Sequence, residues 1–130
     1  MDQSELASLA GEWIKYWNAP EGSPDRERYA DAADLYDLLY NDPETLWLLV
    51  LEIHHRDHSA SIQQVLSAGP IEDLLARHGE AFIDRVETEA RIDPLFARLL
   101  GGVWPNDMTD AVWQRVTGVW DRRGWDGLPE

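Results

Sequence analysis

The chain has 130 residues, 44% of them hydrophobic, no cysteine, and a formal net charge of −14 from 25 acids and 11 bases. At this length roughly two thirds of the unfolded surface is buried on folding, so a true core is possible, and the missing cysteines exclude disulfides, thiolate metal sites and cysteine nucleophiles. The charge disfavours direct nucleic-acid binding, which relies on cations that displace counterions from phosphates, and the longest apolar run, Leu46 to Leu51, is far short of the roughly 20 residues of a membrane span.

The opening Met-Asp-Gln-Ser-Glu has no basic region followed by an apolar run, so no secretory or transit leader is read there. Together with the lack of cysteine this gives a cytoplasmic expectation. Residues 1–65 hold 13 acids and 4 bases, against 12 and 7 in residues 66–130, so the first half presents the more negative surface.

In chain order, Leu6, Leu9, Ala10, Trp13 and Trp17 recur at helical spacing and predict a first helix over Ser4 to Asn18, with Ser4 as N-cap. Two prolines and a glycine between Ala19 and Asp25 predict a loop. Tyr29, Ala32, Ala33, Tyr36, Leu39 and Tyr40 then place an apolar side on a second helix from Arg26 to Tyr40, whose opposite face is acidic. Asp42 as cap and Pro43 in the first turn begin a central helix, whose stretch Leu46 to Ile53 is apolar on nearly every side and leads into His54, His55 and His58.

A short amphipathic segment follows over Ser59 to Ser67, then a break at Ala68-Gly69-Pro70. A helix carrying Ile71, Leu74 and Leu75 is expected to stop at His78-Gly79, and a longer one carries Phe82, Ile83, Val86 and Ala90. After Asp93-Pro94 comes a helix with Phe96, Leu99 and Leu100 that Gly101 and Gly102 weaken. The last, within 107–123, is marked by Val112, Trp113, Val116, Val119 and Trp120.

No stretch sustains the alternation of a strand. The expected fold is all-α: about six to seven short amphipathic helices in antiparallel hairpins around the central apolar helix, in one domain over 1–130. Within it we expect acidic N-terminal helices (1–45), a core (46–104), a C-terminal helix (105–123) and a tail (124–130). The intervals separating Pro43, Pro70 and Pro94 invite comparison with helical repeats, although the sequences between them are dissimilar.

From Leu66 to Trp104 the chain carries Gly69-Pro70, Glu72, Leu74-Leu75, His78-Gly79, Ala90, Asp93-Pro94 and Val103-Trp104 in order. This set resembles a family of small bacterial all-helical domains of unknown function, and the resemblance implies an all-helical fold and no particular activity. It covers about a third of the chain and leaves residues 1–45 outside.

Two clusters are candidates for function. His54 and His58, four apart, suit a shared metal ion; but His55 occupies the place of the glutamate in H-E-x-x-H, and a helix C-terminus favours such residues on electrostatic grounds alone. The second cluster lies in residues 21–44, where eight acids accompany two arginines and several tyrosines. Asp31, Asp34 and Asp37 with Tyr36 and Tyr40 are the partner-binding candidates, since complementary charge selects partners and tyrosines anchor interfaces. Tyr29, Trp104 and Trp125 are further possible anchors.

Other groups suggest local structural roles. Glu72 and Asp73 sit where acids favour a helix N-terminus, and neighbouring helical side chains diverge by about 100° instead of converging on one reaction centre. His78 precedes a glycine cap, while Ser59 and Ser61 lack the oxyanion glycines of a nucleophile elbow. No catalytic or cofactor-binding residue is assigned. The expected function is a non-enzymatic acidic interaction module of the bacterial cytosol, such as an immunity or inhibitor protein for a basic partner. The alternatives are a nucleic-acid mimic, or a metal-binding protein or metal-dependent enzyme using His54, His55 and His58.

Overall fold

The computed structural model describes residues 1–123 and 125. Among these the chain is all-helical, with no strand. Its internal packing divides after Leu66 into two compact units, Met1–Leu66 and Ser67–Glu130.

The first unit opens with α1, Gln3–Asn18. Its N-cap is Asp2, not the expected Ser4: the Asp2 carboxylate accepts the Glu5 N–H at 2.8 Å, satisfying one of the helix's open donors and placing negative charge at the positive end of the dipole. At the other end, Arg26 Nε donates to the carbonyls of Tyr16 and Ala19 at 2.7 and 3.0 Å. Its guanidinium also lies 4.6 Å from the Tyr16 ring centroid, fastening the Ala19–Ser23 link to the helix it leaves.

The single helix expected over Arg26 to Tyr40 is instead three short ones: α2 (Pro24–Arg28), α3 (Ala30–Ala33) and α4 (Tyr36–Asn41). Asp34 explains one break, because its extended backbone lets its carboxylate accept the Tyr36 N–H at 3.0 Å, a local bond that competes with helix continuation. Only Ala32 and Leu39 are buried across these pieces. Too little apolar surface is available to enforce one straight helix.

Helix α5 (Pro43–Arg56) begins as its sequence indicates, with Pro43 in the first turn and Asp42 accepting from the Thr45 N–H and hydroxyl at 3.2 and 2.6 Å. Leu46, Trp47, Leu49, Val50, Ile53 and His54 are buried, and α5 packs on α1, α4 and α6 (Ala60–Leu66). The apolar stretch is thus the core element of the first unit.

The second unit has its own core, organised by α7 (Glu72–Ile92), which packs against α8 (Pro94–Leu100) and α9 (Asp110–Thr117). Where a break was expected at Ala68-Gly69-Pro70, Ser67–Ile71 wind as a π-helical turn that contains Pro70. The wider turn accommodates a residue that cannot donate a backbone hydrogen bond. At His78-Gly79, where the sequence ends one helix and begins the next, two helical segments meet across a kink: His78 has non-helical φ −127° and ψ 28°, and the second segment follows directly. Gly79 is required by packing, since a Cβ there would lie 2.9 Å from a Val112 methyl on α9.

Candidate functional site

Helix α4 carries the most exposed aromatic pair. Tyr36 and Tyr40 are 61% and 52% exposed, and their rings stack 6.3 Å apart at 24°, because residues four apart share a helix face. Asp31, Asp34 and Asp37 are exposed as well. Asp37 also accepts from the Asn41 side-chain amide at 2.8 Å. On α5, Glu44 and Leu48 stand exposed one turn apart, Leu48 at 52%. All five sequence-derived partner candidates therefore lie at the surface on α3, α4 and the link joining them.

The histidines are arranged differently from a helical i, i+4 pair. Helix α5 ends at Arg56, so His58 lies beyond it, in the link that Asp57 shapes by accepting the Ser59 N–H at 2.9 Å. The turn nevertheless brings the His58 ring to 5.3 Å from that of His54, tilted by 47°. His54 is fully buried and His55 exposed. Gln63, to which sequence spacing gave no clue, accounts for the orientation of His54. Its amide donates to the Asp57 carbonyl at 2.9 Å, so its oxygen faces His54 Nδ1 at 3.0 Å and accepts from it. In this pairing His54 Nδ1 is the donor and the Gln63 amide oxygen the acceptor, which fixes the orientation of the ring.

The adjacent carboxylates of the second unit diverge. Glu72 is buried and accepts the Trp104 N–H at 2.7 Å and a hydrogen bond from the Asn106 side chain, while Asp73 is exposed. Burial pushes the Glu72 carboxyl above its ordinary range despite these bonds. This places Glu72 as the support of the Trp104–Asn106 loop, in which Asn106 takes a positive φ of 34°. Ser59 Oγ faces Ser61 Oγ at 3.5 Å.

Of the other aromatic candidates, Trp104 is 54% exposed. Tyr29 is half-buried beneath two cations, Lys15 and Arg28. Trp125 is an anchor within the second unit, its indole N–H donating to the Arg98 carbonyl at 2.7 Å. Gly101 and Gly102, read from sequence as weakening a helix, admit that indole: a Cβ on either would come within 2.6 Å of a ring atom. No helix among the described residues is long and apolar enough to cross a membrane.

Among the described residues these features define an all-helical protein that carries an exposed acidic, tyrosine-bearing segment. The chain belongs to a family of unknown function, DUF6869, whose model matches residues 19–124. The match extends beyond the motif segment Leu66 to Trp104 and takes in the acidic segment bearing Tyr36 and Tyr40, which the resemblance had left outside. No curated protein and no solved structure matches the chain.

Proposed function

We propose that this protein is a non-enzymatic interaction module of the bacterial cytosol that binds a basic protein through α3 and α4, as an immunity or inhibitor protein does. The observation that carries this reading is the stacked, exposed pair Tyr36 and Tyr40 set among Asp31, Asp34 and Asp37. Solvent-facing tyrosines present large, rigid contact area, and surrounding carboxylates steer a cationic partner and penalise an anionic one. The net charge of −14 extends the same field over the chain.

Affinity purification from the native host at physiological salt tests this, comparing the wild-type chain with a Tyr36→Ser/Tyr40→Ser/Asp37→Asn variant. Recovery of a basic protein by the wild type and its loss with the variant supports the reading. Recovery of free monomer alone, or equal capture by both, counts against it. If DNA displaces the captured partner, the stricter version, in which the carboxylates copy phosphates, gains support.

A second reading rests on the facing rings of His54 and His58, with His54 oriented by Gln63. In it the imidazoles of His54 and His58 hold a divalent transition metal. Metal analysis of protein purified without a histidine tag decides it, and less than about a tenth of an equivalent of metal ends it.

A further inference from the structure

An open groove of about 470 Å³ lies along α1 in the first unit, with Ser8, Gly11, Glu12 and Lys15 on one side and Arg28 and Tyr29 facing them. The volume falls in the range of small-molecule sites. Two cations from separate elements lie against one ring: Lys15 Nζ lies 5.4 Å and the Arg28 guanidinium 5.5 Å from the Tyr29 centroid. Lys15 is the chain's single lysine.

Several of the chain's other cations are occupied. Arg56 is paired with Glu52, Arg115 with Asp84 and Glu87, and Arg123 with Asp121, while Arg26 serves backbone carbonyls. Among the described residues, Lys15 and Arg28 make neither an ion pair nor a hydrogen bond. Their ammonium and guanidinium donors remain available beside the groove, and two like charges sharing a ring gain from an anion placed between them.

We infer that this groove binds a small oxyanion, a carboxylate or phosphate group, whose oxygens bridge Lys15 and Arg28 beside Tyr29 while the body of the ligand lies against Ser8 and Gly11. Charge-assisted hydrogen bonds to the two cations supply the affinity. Glu12 on the same wall disfavours a second negative group at that end, so the ligand carries its charge at one end and neutral or donor groups at the other.

The test is a titration of the untagged 130-residue chain followed by backbone amide NMR, using 4-hydroxybutyrate in one arm and inorganic phosphate in the other, at constant ionic strength. The expected result is saturable shifts centred on Gly11, Lys15 and Tyr29 in at least one arm, and the arm that saturates identifies the oxyanion. Lys15→Gln/Arg28→Gln should weaken binding by at least about tenfold. Gly11→Leu should abolish it by filling the groove, into which a Cβ at Gly11 extends without meeting any atom within 4 Å. Should the double variant fail to fold, Gly11→Leu alone decides. Non-saturating shifts in both arms, or unchanged affinity in the folded variants, overturn the inference.

Discussion

The Glu72 carboxylate accepts the backbone N–H of Trp104 at 2.7 Å from a residue 32 positions earlier in the chain. That bond closes the loop following α8 onto the first turn of α7, and it does so with a buried acid whose neutral form the site favours.

A pH dependence follows from this. Because the folded-state pKa of Glu72 lies above its ordinary value of 4.5, the folded chain holds this proton more tightly than the unfolded one. The resulting stabilisation is full below pH 4.5 and is lost as pH rises through the folded value. Glu72→Gln keeps an acceptor for Trp104 and removes the titration. Urea denaturation of both proteins at pH 4 and pH 7 should therefore show the variant gaining relative to wild type as pH rises. Glu72→Ala leaves the Trp104 N–H without its acceptor and should cost about 1–3 kcal/mol.

Gly79 and Val112 form a steric pair across α7 and α9. Gly79→Ala should destabilise by about 1–3 kcal/mol through overpacking. Val112→Ala, which removes the opposing methyls from a buried residue, should restore part of that loss. In a double-mutant cycle read by denaturant midpoints, the double variant should lose less than the sum of the singles by at least about 0.5 kcal/mol.

Trp47 is buried on α5 at 6% exposure. Its truncation to Ala should cost about 3–5 kcal/mol, measured by urea unfolding. Tyr36→Ser and Tyr40→Ser, by contrast, alter exposed side chains and should stay within about 0.5 kcal/mol of wild type. Comparable losses for both groups would show that the tyrosine pair supports the fold.

Asp121 has its carboxyl held down to about 2 by hydrogen bonds from the Arg123 side chain and backbone N–H. The sign is opposite to that of Glu72: stability from this group is present above its ordinary value of 3.8 and is lost as pH falls towards 2. Asp121→Asn should narrow the difference in thermal midpoint between pH 5 and pH 2, as followed by circular dichroism.

The sequence by itself determined the helical class, the Asp42–Pro43 start of α5, and the core face within Leu46 to Ile53, from which Leu48 points outward. Each of these depends on neighbours within a few residues, through apolar spacing, capping and the fixed geometry of proline. Tertiary structure decided the rest. Gly79, Gly101 and Gly102 look like helix breakers in sequence, yet Val112 and Trp125 dictate their small size from residues far along the chain. Asp34 split a helix that its tyrosine spacing favoured, because too little apolar surface opposed a local hydrogen bond. His58 came beside His54 through a turn beyond the helix, held with the help of Gln63, and Lys15 and Arg28 came against Tyr29 only when α1 and α2 packed together. Periodicity records which face of a helix is apolar, whereas the partner of that face is fixed by burial across the whole unit.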